Sequence, residues 1–127
     1  MLTITTGGRD YYDRAMLYRT MEEAHNEAKA LKEELIVIHG DCSSGADYLV
    51  KCWCEQAGVE QWKFPANWKR NGKAAGPLRN ARMLSVGCQR GISCVIAFPG
   101  GAGTTDMVKR ASAARVTVAR IGEGWKE

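Results

Sequence analysis

A glycine-rich segment between an apolar run and a helical pattern is the part of this sequence best suited to bind an anion. It reads Phe98-Pro99-Gly100-Gly101-Ala102-Gly103-Thr104-Thr105 and follows the apolar run 92–97. A glycine turn that leads from a strand into a helix presents bare backbone N–H groups and the positive end of the helix dipole. We therefore predict a phosphate or nucleotide site here. The segment is not a Walker A loop, because no Gly-Lys-Ser/Thr sequence ends it, and it does not match the standard dinucleotide fingerprint.

Two other segments combine glycines with polar side chains after a predicted strand. Gly7-Gly8-Arg9 follows the first strand, and the planar donors of its guanidinium match phosphate oxygens. The alternative for Arg9 is a surface salt bridge. The segment Gly40–Asp47 offers backbone amides, two carboxylates and the hydroxyls of Ser43 and Ser44 to a phosphate or a sugar. Helix capping is a nearly equal alternative for the serines.

Basic and aromatic residues concentrate in and just after the polar stretch 65–76. Trp68 and Phe64 carry rings that can stack on a base, and the cations are Lys69, Arg70, Lys73, Arg79 and Arg82. The alternative is a solvated basic surface. We select Arg79 as the ligand-binding cation, because it lies near the start of a predicted helix that faces this stretch. His39 is interpreted as a packed residue at a strand end rather than a catalytic base.

Apolar strands alternate with helical patterns along the chain. Strands are predicted at 2–6, 35–38, 59–64, 92–98 and 116–121. Helices are predicted within 11–34, from Ser43 or Ser44 to Gly58, from Pro77 onward and over 106–114. Residues 65–76 are predicted to form a loop, and residues 122–127 a short polar tail.

This alternation predicts the fold class and the position of the site. We expect an α/β fold, with one Rossmann-like domain of about five parallel strands and helices on both faces. In such folds a ligand lies outside the carboxyl ends of the strands. The predicted ligand-binding residues follow those ends: Gly7, Gly8, Arg9, Gly40, Asp41, Ser43, Ser44, Gly45, Asp47, Trp68, Arg79, Asn80, Gly100, Gly101, Gly103, Thr104 and Thr105.

Composition narrows the class of protein. The 127 residues are 45% hydrophobic and 25% charged, with a net charge of +4, as in an ordinary globular domain with a site for a small anion. No apolar run is long enough to span a membrane, and the N-terminus lacks the features of a signal peptide, so we expect a cytoplasmic protein. The five cysteines have no metal-binding spacing, so we expect no metal. Their odd number, without a signal peptide, indicates reduced thiols. We also expect no cofactor.

The ordered motifs together resemble the SLOG superfamily, named for the SMF and LONELY GUY proteins, and most closely its small YspA-type, YpsA-related branch. The motifs are Gly7-Gly8-Arg9, Gly40-Asp41-Cys42-Ser43-Ser44-Gly45-Ala46-Asp47, Asn67-Trp68 with Gly72–Met83, and Phe98-Pro99-Gly100-Gly101-Ala102-Gly103-Thr104. The resemblance implies that residues 1–127 form one SLOG-type nucleotide-binding domain that assembles into a homo-oligomer.

The resemblance also bears on catalysis. LONELY GUY phosphoribohydrolases cleave the N-glycosidic bond of nucleoside monophosphates with an arginine, matched here by Arg79, and a glutamate that closes the Pro-Gly-Gly-x-Gly-Thr-x-x-Glu motif. That closing position is Met107, which cannot ionise. Asp106 is adjacent, but one residue along a helix is about 100° around its axis. Arg79 and Asp106 are the catalytic candidates if the protein is an enzyme.

We therefore expect a protein that senses or sequesters a nucleotide or nucleotide-derived phosphate ligand, held at the carboxyl edge of the sheet. A nucleotide N-glycosidase is the alternative. A single-stranded nucleic-acid binder that uses the basic stretch and Trp68 is a third, weaker alternative. The expected partner is a nucleotide-like small molecule, rather than a membrane or a nucleic acid.

Overall fold

Five parallel strands form one sheet in the order β3-β2-β1-β4-β5. The computed structural model describes residues 1–122, so most of the predicted tail, residues 123–127, lies outside the described residues. The strands are β1 (Leu2–Thr6), β2 (Ile36–His39), β3 (Glu60–Lys63), β4 (Cys94–Ala97) and β5 (Val118–Arg120). The predicted α/β, Rossmann-like fold is confirmed.

The central strands are buried because helices cover both faces of the sheet. Ile4, Val37 and Val95 are fully buried, whereas the strands at the two edges, β3 and β5, contain no fully buried residue. In register, Thr6 on β1 pairs with Ala97 on β4. Both strands therefore end at the same level, and the turns that follow them meet.

Two helices pack on each face. Helices α1 (Arg14–Ala30) and α2 (Gly45–Ala57) cover one face, and α4 (Ala75–Gln89) and α5 (Ala102–Ala113) cover the other. The Asp13 side chain caps α1 by accepting from the Met16 N–H at 3.1 Å. Gly58 ends α2 in the left-handed conformation, as its sequence position predicted.

The predicted loop at 65–76 and two predicted helix starts are wrong. The stretch 65–76 contains a short helix, α3 (Trp68–Asn71), followed by a 3₁₀ turn (Gly72–Ala74), because the Asn67 side chain caps α3. Helix α4 begins at Ala75, two residues before Pro77, and tolerates the proline because first-turn N–H groups need no intrahelical partner. Helix α5 begins at Ala102, four residues before Asp106, so Gly103 lies in its first turn.

The strand order reverses direction between β1 and β4. From β1 the chain winds outward to β3, then crosses back to β4 and continues to β5. Such a switch point opens a crevice outside the carboxyl ends of the two central strands, which is where ligands bind in this class of fold. Among residues 1–122, no helix is both long and apolar enough to cross a membrane.

Candidate functional site

A cleft of about 490 Å³ opens at this switch point. It is lined by the ends of β1 and the turns after β1, β2 and β4, and α3 and the start of α4 close its side. The segments that sequence reasoning assigned to one edge of the sheet are therefore together.

The N-terminus of α5 forms one wall of the cleft. Gly101 is the N-cap residue and has no side chain that could accept from the first N–H groups of the helix. The first helical hydrogen bond runs from the Thr105 N–H to the Gly101 carbonyl at 3.0 Å. The N–H groups of Ala102, Gly103 and Thr104 precede that bond, so they have no helical acceptor. A Cβ added at Gly101 or Gly103 would meet no atom within 4 Å, so the wall is open to a ligand.

The turn after β1 is fitted closely against the turn after β4. The Gly8 N–H donates to the Pro99 carbonyl at 2.9 Å, and the Gly8 carbonyl accepts from the Ala46 N–H at 3.0 Å. A Cβ on Gly8 would lie 3.0 Å from the Gly100 Cα and 3.1 Å from the Pro99 oxygen. Glycine at position 8 is thus required by the close approach of these backbones.

A buried hydroxyl lies at the floor of the cleft. Thr5 is 1% exposed and lines the cleft, and within residues 1–122 its Oγ1 has no hydrogen-bond partner. Buried polar atoms are almost always paired, so this hydroxyl is an exception among the residues that line the cleft, and its oxygen is itself buried.

Arg79 is held by three acceptors. Its Nη1 donates to the carbonyls of Gly40, at 2.8 Å, and Phe64, at 3.4 Å, and its Nε donates to the Asn80 Oδ1 at 3.0 Å. A Cβ on Gly40 would collide with this guanidinium. Arg79 therefore joins α4 to the end of β2, and it presents a fixed positive charge to the cleft.

Asn80 carries the hydrogen-bond chain from Arg79 to Asp106. Its Nδ2 donates to the Asp106 Oδ2 at 3.0 Å and to the Gly103 carbonyl at 3.1 Å. Arg110 also donates to the Asp106 Oδ2, at 2.9 Å. Among the described residues, Asp106 Oδ1 has no partner, so the carboxylate can still accept from a ligand hydroxyl.

Side chains accept from two of the amides in the turn after β2, those of Asp41 and Cys42. The buried His39 ring accepts from the Asp41 N–H at Nδ1, at 3.0 Å, and lies 2.7 Å from Gln61 Oε1 at Nε2, so Nε2 carries the proton. The Cys42 N–H donates to Asp47 Oδ2 at 3.2 Å. His39 is thus a packed strand-end residue, and these amides are not available to a phosphate.

Cys42 is a protonated thiol within the cleft. Burial is the main cause that raises the pKa of Cys42, and the neighbouring carboxylate of Asp47 raises it further. A thiol with a raised pKa is a weak nucleophile at neutral pH, so it contributes bulk and weak polarity rather than covalent chemistry.

The mouth of the cleft combines an aromatic ring with both signs of charge. The Arg9 guanidinium lies 4.9 Å from the centre of the Trp68 ring, and Trp68 is 47% exposed. Arg9, Lys73 and Arg79 line the cleft beside three carboxylates, those of Asp10, Asp47 and Asp106. Such a mixture suits a ligand that carries both an anionic group and hydroxyls.

Most of the predicted ligand-binding residues line the cleft, and six do not. Asp41, Ser43 and Ser44 line an adjoining cavity of about 290 Å³. That cavity shares five lining residues with the cleft: Arg9, Gly40, Cys42, Trp68 and Arg79. Ser44 does not cap α2; its hydroxyl donates to the Arg9 carbonyl at 2.9 Å. The structure places Gly45, Gly100 and Thr105 outside the lining of both cavities, and Gly45 and Gly100 instead provide room for neighbouring backbone or side chains.

Several lining residues escaped sequence reasoning. Thr5 lies inside β1, where a threonine is explained by the strand itself. Lys73 was recognised only as part of a basic stretch. Position after a strand end was available as a signal for Cys42. Met107 is fully buried in the core beneath α4 and α5, so it does not line the cleft; the carboxylate of this motif that does is Asp106.

The described residues contain no candidate metal centre. Within residues 1–122, no three His, Cys, Asp or Glu side chains lie close enough together to hold a metal ion.

Two comparisons relate this chain to known proteins. A family model described as "YspA, cpYpsA-related SLOG family" matches residues 2–71, which is more than half of the chain. That match includes the turns after β1 and β2 and Trp68, and it ends before Arg79 and α5. The gene 61 protein of Mycobacterium phage D29 is 30% identical over 128 residues, an alignment that covers 94% of this chain and 95% of the phage protein.

Proposed function

Because this chain belongs to the YspA, cpYpsA-related SLOG family, we propose that its cleft binds a nucleotide or nucleotide-derived phosphate ligand, and that the protein senses or sequesters it. The observation that carries this proposal is the start of α5, where three N–H groups without helical acceptors face the cleft. A phosphate is the ligand group that such a terminus favours.

The rest of the ligand is assigned from the chemistry of the other walls. Asp106 accepts from sugar hydroxyls through its open oxygen. The exposed Trp68 ring stacks on the base. Arg79 contributes charge toward the phosphate from the opposite side.

The first experiment alters only the charge at the start of α5. In Gly103→Asp the added side chain has space, and a carboxylate in the first turn stabilises a helix by about 0.3–1 kcal/mol. The same carboxylate repels a phosphate. We expect unchanged or improved thermal stability and at least about a tenfold loss of nucleotide affinity in calorimetric titrations against a panel of nucleoside mono- and diphosphates.

Gly103→Ala is the matched control, since it adds a methyl group without charge and is expected to bind nearly as the wild type does. In a separate measurement, the purified protein is incubated with the same panel, and the ligand that it then releases is analysed by mass spectrometry. This identifies the ligand and shows whether it was cleaved. Equal nucleotide affinities for Gly103→Asp and the wild type would refute the phosphate position.

A nucleotide N-glycosidase is a second candidate, favoured by the Asp106 carboxylate in the cleft next to the Arg79–Asn80 pair. Cleavage of a glycosidic bond needs a carboxylate near the developing positive charge on the sugar. Base release from nucleoside monophosphates that is well above the uncatalysed rate, and lost in Asp106→Asn, would establish this activity. We expect no such release from the wild type.

A further inference from the structure

A long acid-free segment concentrates positive charge on one side of the molecule. From Gln61 to Thr105 the sequence has no Asp or Glu, and its cations are Lys63, Lys69, Arg70, Lys73, Arg79, Arg82 and Arg90. The rest of the chain is net acidic. The segment folds into β3, α3, α4 and β4, so the charge lies along the side of the sheet that β3 and α4 form.

A groove of about 550 Å³ runs between β3 and α4 on this side. Its lining includes two aromatic rings, Trp62 and Phe64, and the exposed Leu78. The charged residues that line it are all basic: Lys63, Arg79 and Arg82. The lining of the groove therefore combines apolar and aromatic side chains with positive charge alone.

Three aromatic rings along this side each make a cation–π contact with an arginine. The guanidinium carbons of Arg90, Arg82 and Arg9 lie 5.6, 5.5 and 4.9 Å from the ring centres of Trp62, Phe64 and Trp68. Trp62 on β3 and Phe64, the residue after β3, pack against the same core, and Trp68 follows on α3 at the mouth of the cleft. Glu60, which accepts from the Trp62 indole N–H at 2.6 Å, marks the lower end of this row.

Rings paired with guanidinium groups are suited to unpaired bases joined by phosphates. Bases stack on aromatic and guanidinium planes, at about 1–3 kcal/mol per base, while the cations neutralise the backbone. In a duplex the bases are already stacked on one another, so their faces are not free to stack on the rings. An acidic protein would satisfy the charge and leave the rings unused.

We propose that the groove between β3 and α4 binds single-stranded nucleic acid, which follows the row of arginine-paired rings toward the cleft. Arg79 lines both the groove and the cleft, so the strand's path leads to the nucleotide site. The proposal does not rest on the nucleotide function: the Arg9–Trp68 pair and Arg79 belong to the cleft, but Lys63, Phe64 and Arg82 lie outside its lining.

The test measures fluorescence anisotropy of a labelled oligothymidylate of about 16 nucleotides, with a duplex of the same length as comparison. We expect the single strand to bind at least about tenfold more tightly than the duplex. For about three phosphate contacts, the slope of log affinity against log salt is expected near −2. Polyglutamate at equal charge concentration is expected to compete poorly.

The double variant Lys63→Glu/Arg82→Glu reverses two exposed charges in the groove and is expected to lower oligothymidylate affinity at least about tenfold while keeping nucleotide binding. Arg19→Glu/Lys29→Glu on α1 is the matched control, with the same change in net charge. Gly103→Asp is expected to lose nucleotide affinity and keep strand binding, so the two functions fail separately.

The groove proposal would be overturned if the single strand did not bind at low salt, or if the duplex bound with equal affinity. It would also be overturned if polyglutamate competed as well as unlabelled oligothymidylate, or if the groove variant and the α1 control lost equal oligothymidylate affinity.

Discussion

At the scale of single residues, Arg79 has two roles that the same guanidinium fulfils. Its Nη1 and Nε groups hold the end of β2 and the Asn80 side chain, whereas its Nη2 has no hydrogen-bond partner within residues 1–122. The bonds to protein acceptors fix the orientation in which the remaining N–H groups meet a ligand. A fixed donor loses less entropy on binding than a mobile one.

Arg79→Ala is therefore expected to reduce both affinity and stability. Loss of a charge-assisted contact costs about 1.5–3 kcal/mol of nucleotide binding, and the Gly40 carbonyl left without its donor costs about 1–3 kcal/mol of unfolding free energy. Calorimetric titration and chemical denaturation measure the two effects. Lys69→Ala, which removes an exposed cation, is expected to change either quantity by less than about 0.5–1 kcal/mol. Equal nucleotide affinities in the two variants would remove Arg79 from the site.

At the scale of elements, the start of α2 is fixed by its contact with the turn after β1. The Ala46 N–H donates to the Gly8 carbonyl, and the Ser44 hydroxyl donates to the Arg9 carbonyl. Gly45 lies between these two bonds with φ of +73°, and a Cβ there would lie 2.5 Å from the Arg9 backbone. The helix and the turn thus pack backbone against backbone, which positions Arg9 at the cleft.

Gly45→Ala and Gly58→Ala separate this contact from ordinary backbone strain. Gly58, at the other end of α2, has φ of +69° and open space around its Cβ position, so alanine there is expected to cost about 1–2 kcal/mol. Gly45→Ala adds a collision to the same strain and is expected to cost at least about 3 kcal/mol of unfolding free energy. Denaturant unfolding measures both. Similar losses would mean that the turn shifts readily to admit the methyl group.

At the scale of the whole molecule, the two cores on opposite faces of the sheet hold the cleft between them. The core beneath α1 and α2 includes Cys54, which is 1% exposed. Burial raises the pKa of Cys54 from 9.0 to about 12. Below pH 9 the thiol is protonated in both folded and unfolded chains. Above it only the unfolded chain loses the proton, so folding stability falls as the pH rises toward 12.

Cys54 is thus expected to lower the unfolding free energy by about 2 kcal/mol between pH 8 and pH 10.5. In Cys54→Ala this contribution is absent, so the stability difference between wild type and variant is expected to shrink by that amount over the same range. Denaturation curves at the two pH values measure it. Cys88→Ala serves as the control for removal of an exposed thiol. A difference that stays constant for Cys54→Ala would show that the thiol is not desolvated.

Much of the fold followed from local pattern, because each inner strand is a short run rich in apolar or β-branched residues and is followed by a polar turn. The site residues that follow a strand end, such as Gly8 and Gly101, were found by the same rule. Helix α3 was missed because its cap, Asn67, and its contact with Arg9 are single interactions that carry no periodicity. The start of α5 was missed because glycine in a first turn has the composition of a loop.

The sequence by itself determined that strands and helices alternate, that the sheet is parallel, and that glycine-rich turns follow its strands, since these depend on residue type and spacing over short distances. Only the tertiary structure decided which backbone groups remain open to a ligand. Two amides after β2, those of Asp41 and Cys42, are taken by His39 and Asp47, while those at the start of α5 have no helical acceptor. It also turned Asp106 toward the cleft and Met107 into the core. Those outcomes depend on which elements pack against each turn, because a hydrogen bond is made or left open by partners distant in the chain.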